Sequence, residues 1–415
     1  MISEGYSFIF WLIIIFILFE ALLNFILDRR NSQSWLLPIP EILKDVYNQE
    51  QYTKAQKYHA ESERLAAISS LFGIILILGF LIFKGFAFVY LWIGTFTNSE
   101  LLQILLFFGF FMIVSDIISL PFSLYSIFVI EEKYGFNKMT LKTFVLDKLK
   151  GYLLGIIIGG VLLSVFVWFY QNAGQLFWMY AWILFTVFSV FMAMFYTSWI
   201  VPVFNQLKPL EEGNLRTKIE EFVAKVQFPL TNIFVIDGSK RSSKANAYFS
   251  GLGSKKTIVL YDTLIAEHTE EELVAILAHE VGHYKLKHIQ KSLVIGILQM
   301  GIVLFILSWA VSFPQLTSAL GLETNKPVFA LGLIAFSMLY APISTLTGLL
   351  MNIYSRKNEF EADNYAKENT GSGVFLISAL KKLSSNNLSN LNPDKWYVFF
   401  NYSHPPLRHR IEKLL

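Results

Sequence analysis

Residues Leu176 to Ile200 read LFWMYAWILFTVFSVFMAMFYTSWI, twenty-five positions without one charged side chain. As a helix rising about 1.5 Å per residue the stretch reaches roughly 37 Å, more than the ~30 Å of hydrocarbon in a bilayer. Backbone in lipid must satisfy its own hydrogen bonds, so a run of this length reads as a transmembrane helix. Working outward, six more runs qualify: Tyr6 to Leu27, Ala66 to Trp92, Leu101 to Ile130, Gly151 to Tyr170, Ser292 to Val311 and Val328 to Tyr354. The first has no basic residue ahead of it and no small-residue cleavage site after Leu27, so it reads as a retained span, not a signal peptide.

Composition agrees with a polytopic membrane protein. Of 415 residues, 54% are hydrophobic and only 16% charged, against about 25% charged in a soluble domain. Basic and acidic residues nearly cancel, 34 against 31, so no nucleic-acid partner is expected and membrane lipid is. The absence of cysteine excludes disulfides, thiolate metal sites and a thiol nucleophile.

Placement of charge orients the spans. Arg29, Arg30, Lys44, Lys54, Lys57 and Arg64 follow the first span, Lys133 to Lys150 the third, and a dense basic set the fifth. The opposite loops carry a single lysine, Lys326. The positive-inside rule puts the N-terminus outside or in a lumen and the C-terminus in the cytoplasm. Four segments result: spans one to five in 1–200, a first catalytic part in 201–291, spans six and seven in 292–354, and a second catalytic part in 355–415. The expected fold is mainly α, seven membrane helices with one cytoplasmic α+β domain split by the last membrane hairpin.

Within the first polar part lies His279-Glu280-Val281-Gly282-His283. Its context is helical: Thr269 and Glu272 form a capping-box pair, and Leu273, Ile276 and Leu277 supply an apolar stripe. Two histidines four apart on a helix can grip one ion, and the glutamate between them points aside, placed to take a proton from water that zinc activates. The competing reading is a surface helix with two solvated histidines.

A catalytic zinc needs a third protein ligand. Ser355 to Asp363 returns to the same side of the membrane after one round trip and offers Glu359, Glu361 and Asp363. Glu359 and Asp363 share a helical face, which favours Glu359 as ligand and Asp363 as the group orienting a histidine. On spacing alone Glu361 and Asp363 remain open as ligands.

Taken together these segments resemble the type 1 CAAX prenyl proteases, integral-membrane zinc endopeptidases. The resemblance rests on Glu131 to Asn137, Gly238 to Ser243, Asn246 to Phe249, Ile258 to Leu264, the histidine motif, Ser355 to Asp363 and Ser403-His404-Pro405-Pro406-Leu407. It implies a shell of seven helices round a water-filled chamber, one zinc ion, and Glu359 as third ligand. It also implies that His404 and Arg410 stabilise charge or position substrate, and that a strand at Asn246, Ala247 and Tyr248 holds the substrate, a peptide or protein prenylated at a C-terminal CaaX.

From the residues alone, Asn246 to Phe249 and Thr257 to Tyr261 form a hairpin turning at Gly251 to Ser254, whose free edge could accept a peptide. Leu264 runs almost directly to Thr269, without the insertion that eukaryotic relatives carry there, and the chain ends without a retrieval signal. Both point to a bacterial inner membrane rather than an endoplasmic reticulum, and to a general membrane-protein protease as the alternative activity. An intramembrane protease would bury its zinc helix in lipid, whereas charged residues flank this one. A zinc-binding transporter would show inverted repeats or paired broken helices, which this sequence does not.

Overall fold

The computed structural model describes residues 7–230, 232–251 and 256–415. Among the described residues, seven helices are long and apolar enough to cross a membrane: Phe8–Ser34, Gln49–Ile82, Glu100–Tyr134, Leu141–Asn172, Gly174–Phe204, His288–Ala310 and Phe329–Thr370. The expected start of span one at Tyr6 lies outside the described residues. There Ser7 caps the helix, its hydroxyl accepting from the Phe10 amide.

Span two is shorter than the hydropathy implied. Its helix stops at Ile82, Lys84 takes a left-handed conformation (φ 55°), and Gly85–Gly94 forms a separate short helix. The Lys84 ammonium reaches Glu323 at 3.3 Å. Gly321 meets the Lys84 side chain so closely that a Cβ there would sit 2.5 Å from Lys84 Cβ. An ion pair and a backbone approach at the membrane's far side thus override a continuous apolar run.

Each span contacts the next in chain order, and span seven closes on span one. The ring is packed solid at one end only. Phe10, Ile13, Leu81, Phe107, Phe166, Phe177, Leu307 and Phe329, all near span ends away from the polar domain, form a buried apolar plug. Further along, no residue is buried between Ile13 and Leu27, Tyr58 and Leu81, or Phe107 and Ile130. A solid bundle would bury an inward stripe every three or four residues, so the middle of the ring is a shell. Polar groups within it find partners: Thr345 donates to Glu20 at 2.9 Å, and Asp116 pairs with Lys148 and Tyr152.

At the other end a four-stranded sheet and several helices cover the ring. The sheet runs β1 (Leu207–Pro209), β2 (Asn232–Ile236), β4 (Thr257–Tyr261), β3 (Ala247–Ser250). β3 and β4 pair antiparallel with Ala247 opposite Leu260, as the hairpin reading expects, although residues 252–255 of its turn lie outside the described set. β2 adds parallel to β4 and leaves β3 as an edge. The segment before β3 is tied to the spans. Arg241 makes a two-pronged pair with Asp147 at 2.8 and 2.9 Å, and Lys244 lies 3.1 Å from Glu131 and 4.4 Å above the Phe136 ring. The loop after span one and the start of the next helix are also part of the core, with Leu43, Tyr47 and Tyr58 buried in one cluster with Phe136, Leu391 and Ile411.

Candidate active site

The histidine-bearing helix, Glu270–Lys285, begins in a complete capping box: the Thr269 hydroxyl accepts from the Glu272 amide, and Glu272 accepts from the Thr269 amide at 2.9 Å. Glu272 is buried and also accepts from Ser378 at 2.6 Å and Lys382 at 2.7 Å. Leu273, Ile276, Leu277 and Val281 bury the helix in the protease core. On its other side it packs along span seven, where Gly282 faces Ala362 Cα and Tyr365. The missing side chain lets the two backbones come close enough for span seven to present Glu359.

His279, His283 and Glu359 converge. The two Nε2 atoms are 3.1 Å apart, His283 Nε2 is 3.2 Å from one Glu359 oxygen, and His279 Nε2 is 3.5 Å from the other. Bonds of about 2.0–2.2 Å in a tetrahedral zinc site require ligand separations of about 3.3–3.6 Å. Both Nδ1 atoms have partners of their own: Asp363 at 2.9 Å for His279 and His288 at 3.1 Å for His283. The Nε2 lone pairs therefore face the common centre, and the short Nε2 to Nε2 distance is a ligand edge rather than a hydrogen bond. Glu359 Oε2 is buried without a hydrogen-bond partner, as an atom aimed at a metal would be. The residues fit a zinc ion.

Asp363, 1% exposed, is held from behind by Arg410, which donates to it through Nε at 2.8 Å and Nη2 at 2.6 Å. Burial disfavours a charged His279, but Asp363 and Glu359 outweigh it and raise its pKa to about 9. The same carboxylates that favour a charged imidazole favour a bound cation, which would displace the proton from Nε2. Glu280, between the histidines, has its pKa raised chiefly by burial.

A cavity of about 420 Å³ opens at this centre, bordered by Asn246 and Ala247 of the sheet edge, by Glu280, and by His404. His404 is 64% exposed, yet its Nε2 is 3.4 Å from Glu359, so its exposure is to the interior of the cavity. Burial lowers its pKa. Arg410 borders the same cavity. Arg410 reaches Glu359 only at 3.5 Å, with its strong bonds going to Asp363. The Tyr248 side chain packs with Val201, Ile236 and Val259 and does not border the cavity, because alternate residues of a strand point to opposite faces. Of Tyr248 only the backbone belongs to the edge.

The comparisons with known proteins match this architecture. A family model described as "CAAX prenyl protease N-terminal, five membrane helices" matches residues 29–206, and one described as "Peptidase family M48" matches 209–415. The chain is 38% identical over 397 residues to the CAAX prenyl protease 1 homolog of Oryza sativa subsp. japonica, covering 94% of this chain and 93% of that protein. The Homo sapiens homolog is 30% identical over 420 residues, covering 91% and 88%. The chain belongs to the CAAX prenyl protease 1 family. The crystal structure of S. mikatae Ste24p superposes with a TM-score of 0.92 at 32% identity, covering both chains completely. As a family member the chain is an integral multi-pass membrane metalloendopeptidase, and the transporter and intramembrane-protease readings are not favoured. Oryza sativa and Homo sapiens are eukaryotes, so the bacterial placement drawn from the missing insertion gains no support.

Two contributors were not recognised in the sequence. His288 touches His283, and Leu376, Leu380 and Leu383 of the helix Val374–Asn386 form an apolar wall of the cavity. The leucines carry an ordinary amphipathic pattern that gives no sign of a ligand-facing role.

Proposed function

We propose that this chain is a zinc endopeptidase that cleaves peptides or proteins bearing a prenylated C-terminal CaaX, with its catalytic face in the cytoplasm. The observation that carries the reading is the meeting of two imidazoles, one carboxylate and Glu280 beside an open sheet edge. His279, His283 and Glu359 would hold one zinc ion. When bound, zinc acts as a Lewis acid, polarising a carbonyl and acidifying water.

The chain's own groups supply the rest. The edge of β3 at Asn246 and Ala247 takes the substrate backbone as an added strand. Glu280, its pKa raised by burial, accepts a proton from the attacking water and passes it to the leaving nitrogen. Ser403 Oγ lies 2.9 Å from His404 Nδ1 and would donate to it in the tautomer that keeps the proton on Nε2, where that proton can stabilise charge developing on the carbonyl oxygen. Arg410 adds positive charge from behind Asp363, which keeps His279 oriented. Leu264, Ile276 and the three leucines suit the aliphatic residues of a CaaX sequence. The catalytic domain is assembled from 201–291 and 355–415, and the basic loops on its side of the membrane favour a cytoplasmic position.

The test is cleavage of a farnesylated CaaX peptide and its unmodified twin by the purified protein, with Glu280→Gln alongside. Faster cleavage of the farnesylated peptide, abolished in Glu280→Gln with zinc retained, is expected. Equal rates on both peptides would point to a general membrane-protein protease, and full activity in Glu280→Gln would remove Glu280 as the base.

A further inference from the structure

The two histidines that face the metal centre are anchored differently. His279 leans on Asp363 and Arg410, both buried. His283 leans on His288, whose ring is 3% exposed, stands at 73° to that of His283 and meets it Nδ1 to Nδ1 at 3.1 Å. The other nitrogen of His288 lies 3.0 Å from Glu361 Oε2. With a metal held at His283 Nε2, one proton assignment satisfies this series. That nitrogen then carries no proton, so the His283 proton sits on Nδ1 and is donated to His288 Nδ1. His288 then carries its own proton on Nε2 and donates it to the Glu361 carboxylate.

Backbone geometry brings His288 into place. Lys287 is left-handed (φ 60°), which ends the motif helix and starts span six at His288 itself. Glu361 comes from span seven, two residues beyond Glu359 and on another face, where it is 40% exposed towards a separate cavity of about 760 Å³.

The geometry points to His288 and Glu361 as positioning residues that fix the tautomer and ring plane of His283, and so the affinity of the site for its metal. This inference rests on the zinc reading above. It makes His283 dependent on the place where spans six and seven leave the membrane, a wall distinct from the Asp363 side.

The test is zinc affinity of the full-length protein, measured by competition with a chromogenic chelator, for His288→Phe, His288→Asn, Glu361→Ala and His283→Ala. Thermal unfolding in excess chelator scores folding separately. Loss of an outer partner of a metal-binding histidine costs about 10–100-fold in affinity. His288→Phe keeps the volume but not the acceptor and is expected to lose that much. His288→Asn keeps an acceptor at the Nδ1 position and is expected to recover most of it, with Glu361→Ala intermediate. Unchanged affinity in His288→Phe overturns the inference, as does equal loss in the Phe and Asn variants, which would mean packing alone. Zinc retained by His283→Ala would instead overturn the metal site itself.

Discussion

Gly282 offers a test of how the site is held together. An ideal Cβ at this position lies 3.1 Å from Tyr365 Cδ1 and 3.2 Å from both Tyr365 Cβ and Ala362 Cα. Relaxed carbon contacts are about 3.5–4.0 Å. Because Ala362 Cα is backbone, Gly282→Ala forces span seven back by roughly 0.3–0.8 Å instead of merely turning a side chain. Two effects on stability oppose each other. Alanine gains about 1 kcal/mol over glycine in a helix interior, whereas overpacking costs about 1–3 kcal/mol. The net loss is only about 0–2 kcal/mol, too small to be a sharp readout. Metal binding has no such compensation. Glu359 lies one turn before Ala362 on the same helix and moves with it, stretching ligand separations of 3.2 and 3.5 Å beyond what a tetrahedral ion spans. Zinc affinity is expected to fall by about 10-fold or more, the scale on which loss of a ligand's support acts. Chelator competition on purified protein measures the affinity, and thermal unfolding in chelator checks the fold. A folded Gly282→Ala protein with undiminished zinc affinity would refute the claim that close helix approach delivers Glu359.

Two further outcomes are expected. Asp363→Ala leaves the Arg410 guanidinium buried without its main partner and should cost about 3–5 kcal/mol, with weaker zinc binding because His279 loses its support. Asp363→Asn, which keeps an acceptor, should lose less on both measures, and equal behaviour of the two variants in unfolding would contradict the ion-pair account. For pH, burial raises the Glu272 carboxyl, but Lys382, Ser378 and the Thr269 amide outweigh it and hold it below its ordinary 4.5. A carboxyl depressed in the folded state contributes stability that is complete above its unfolded pKa and disappears as pH falls through the folded value. Glu272→Gln should therefore be less stable than the parent at neutral pH and lose less on acidification below 4.5; parallel acid profiles would rule Glu272 out as the sensor.

The parts of this structure legible in sequence are those governed by local periodicity. Seven apolar runs, the Thr269 and Glu272 cap and the two histidines on one helical face needed no tertiary information. What was illegible depends on distant contacts. β1 has three residues and β2 five, too short to show alternation, and both owe their existence to pairing. The break at Lys84 follows from a loop more than two hundred residues away. Glu359, Glu361 and Asp363 all have suitable chemistry, and only the register of span seven against the motif helix separates ligand, outer support for His283 and outer support for His279. His288 is the plainest case. Five residues along an unbroken helix would turn it about 140° from His283, and only the left-handed Lys287 brings it back.

Span seven links the far end of the shell to the catalytic centre in a single helix. Span seven runs unbroken from Phe329 to Thr370, packing into the apolar plug at its start and presenting Glu359 near its end. Twenty-three residues separate Phe336, the last plug residue on that helix, from Glu359, about 35 Å at 1.5 Å per residue. That is roughly the ~30 Å thickness of the hydrocarbon layer. The unburied stretches of spans one, two and three lie along this same interval, so the ring is open over nearly the full depth of the membrane and closed at both ends. A solid bundle of seven helices would anchor a cytoplasmic protease equally well, so anchoring does not account for the open interior. The proposed activity would account for it: with a substrate's peptide along β3, a prenyl chain attached to it would have the shell to occupy, and neither would be exposed to bulk water during cleavage.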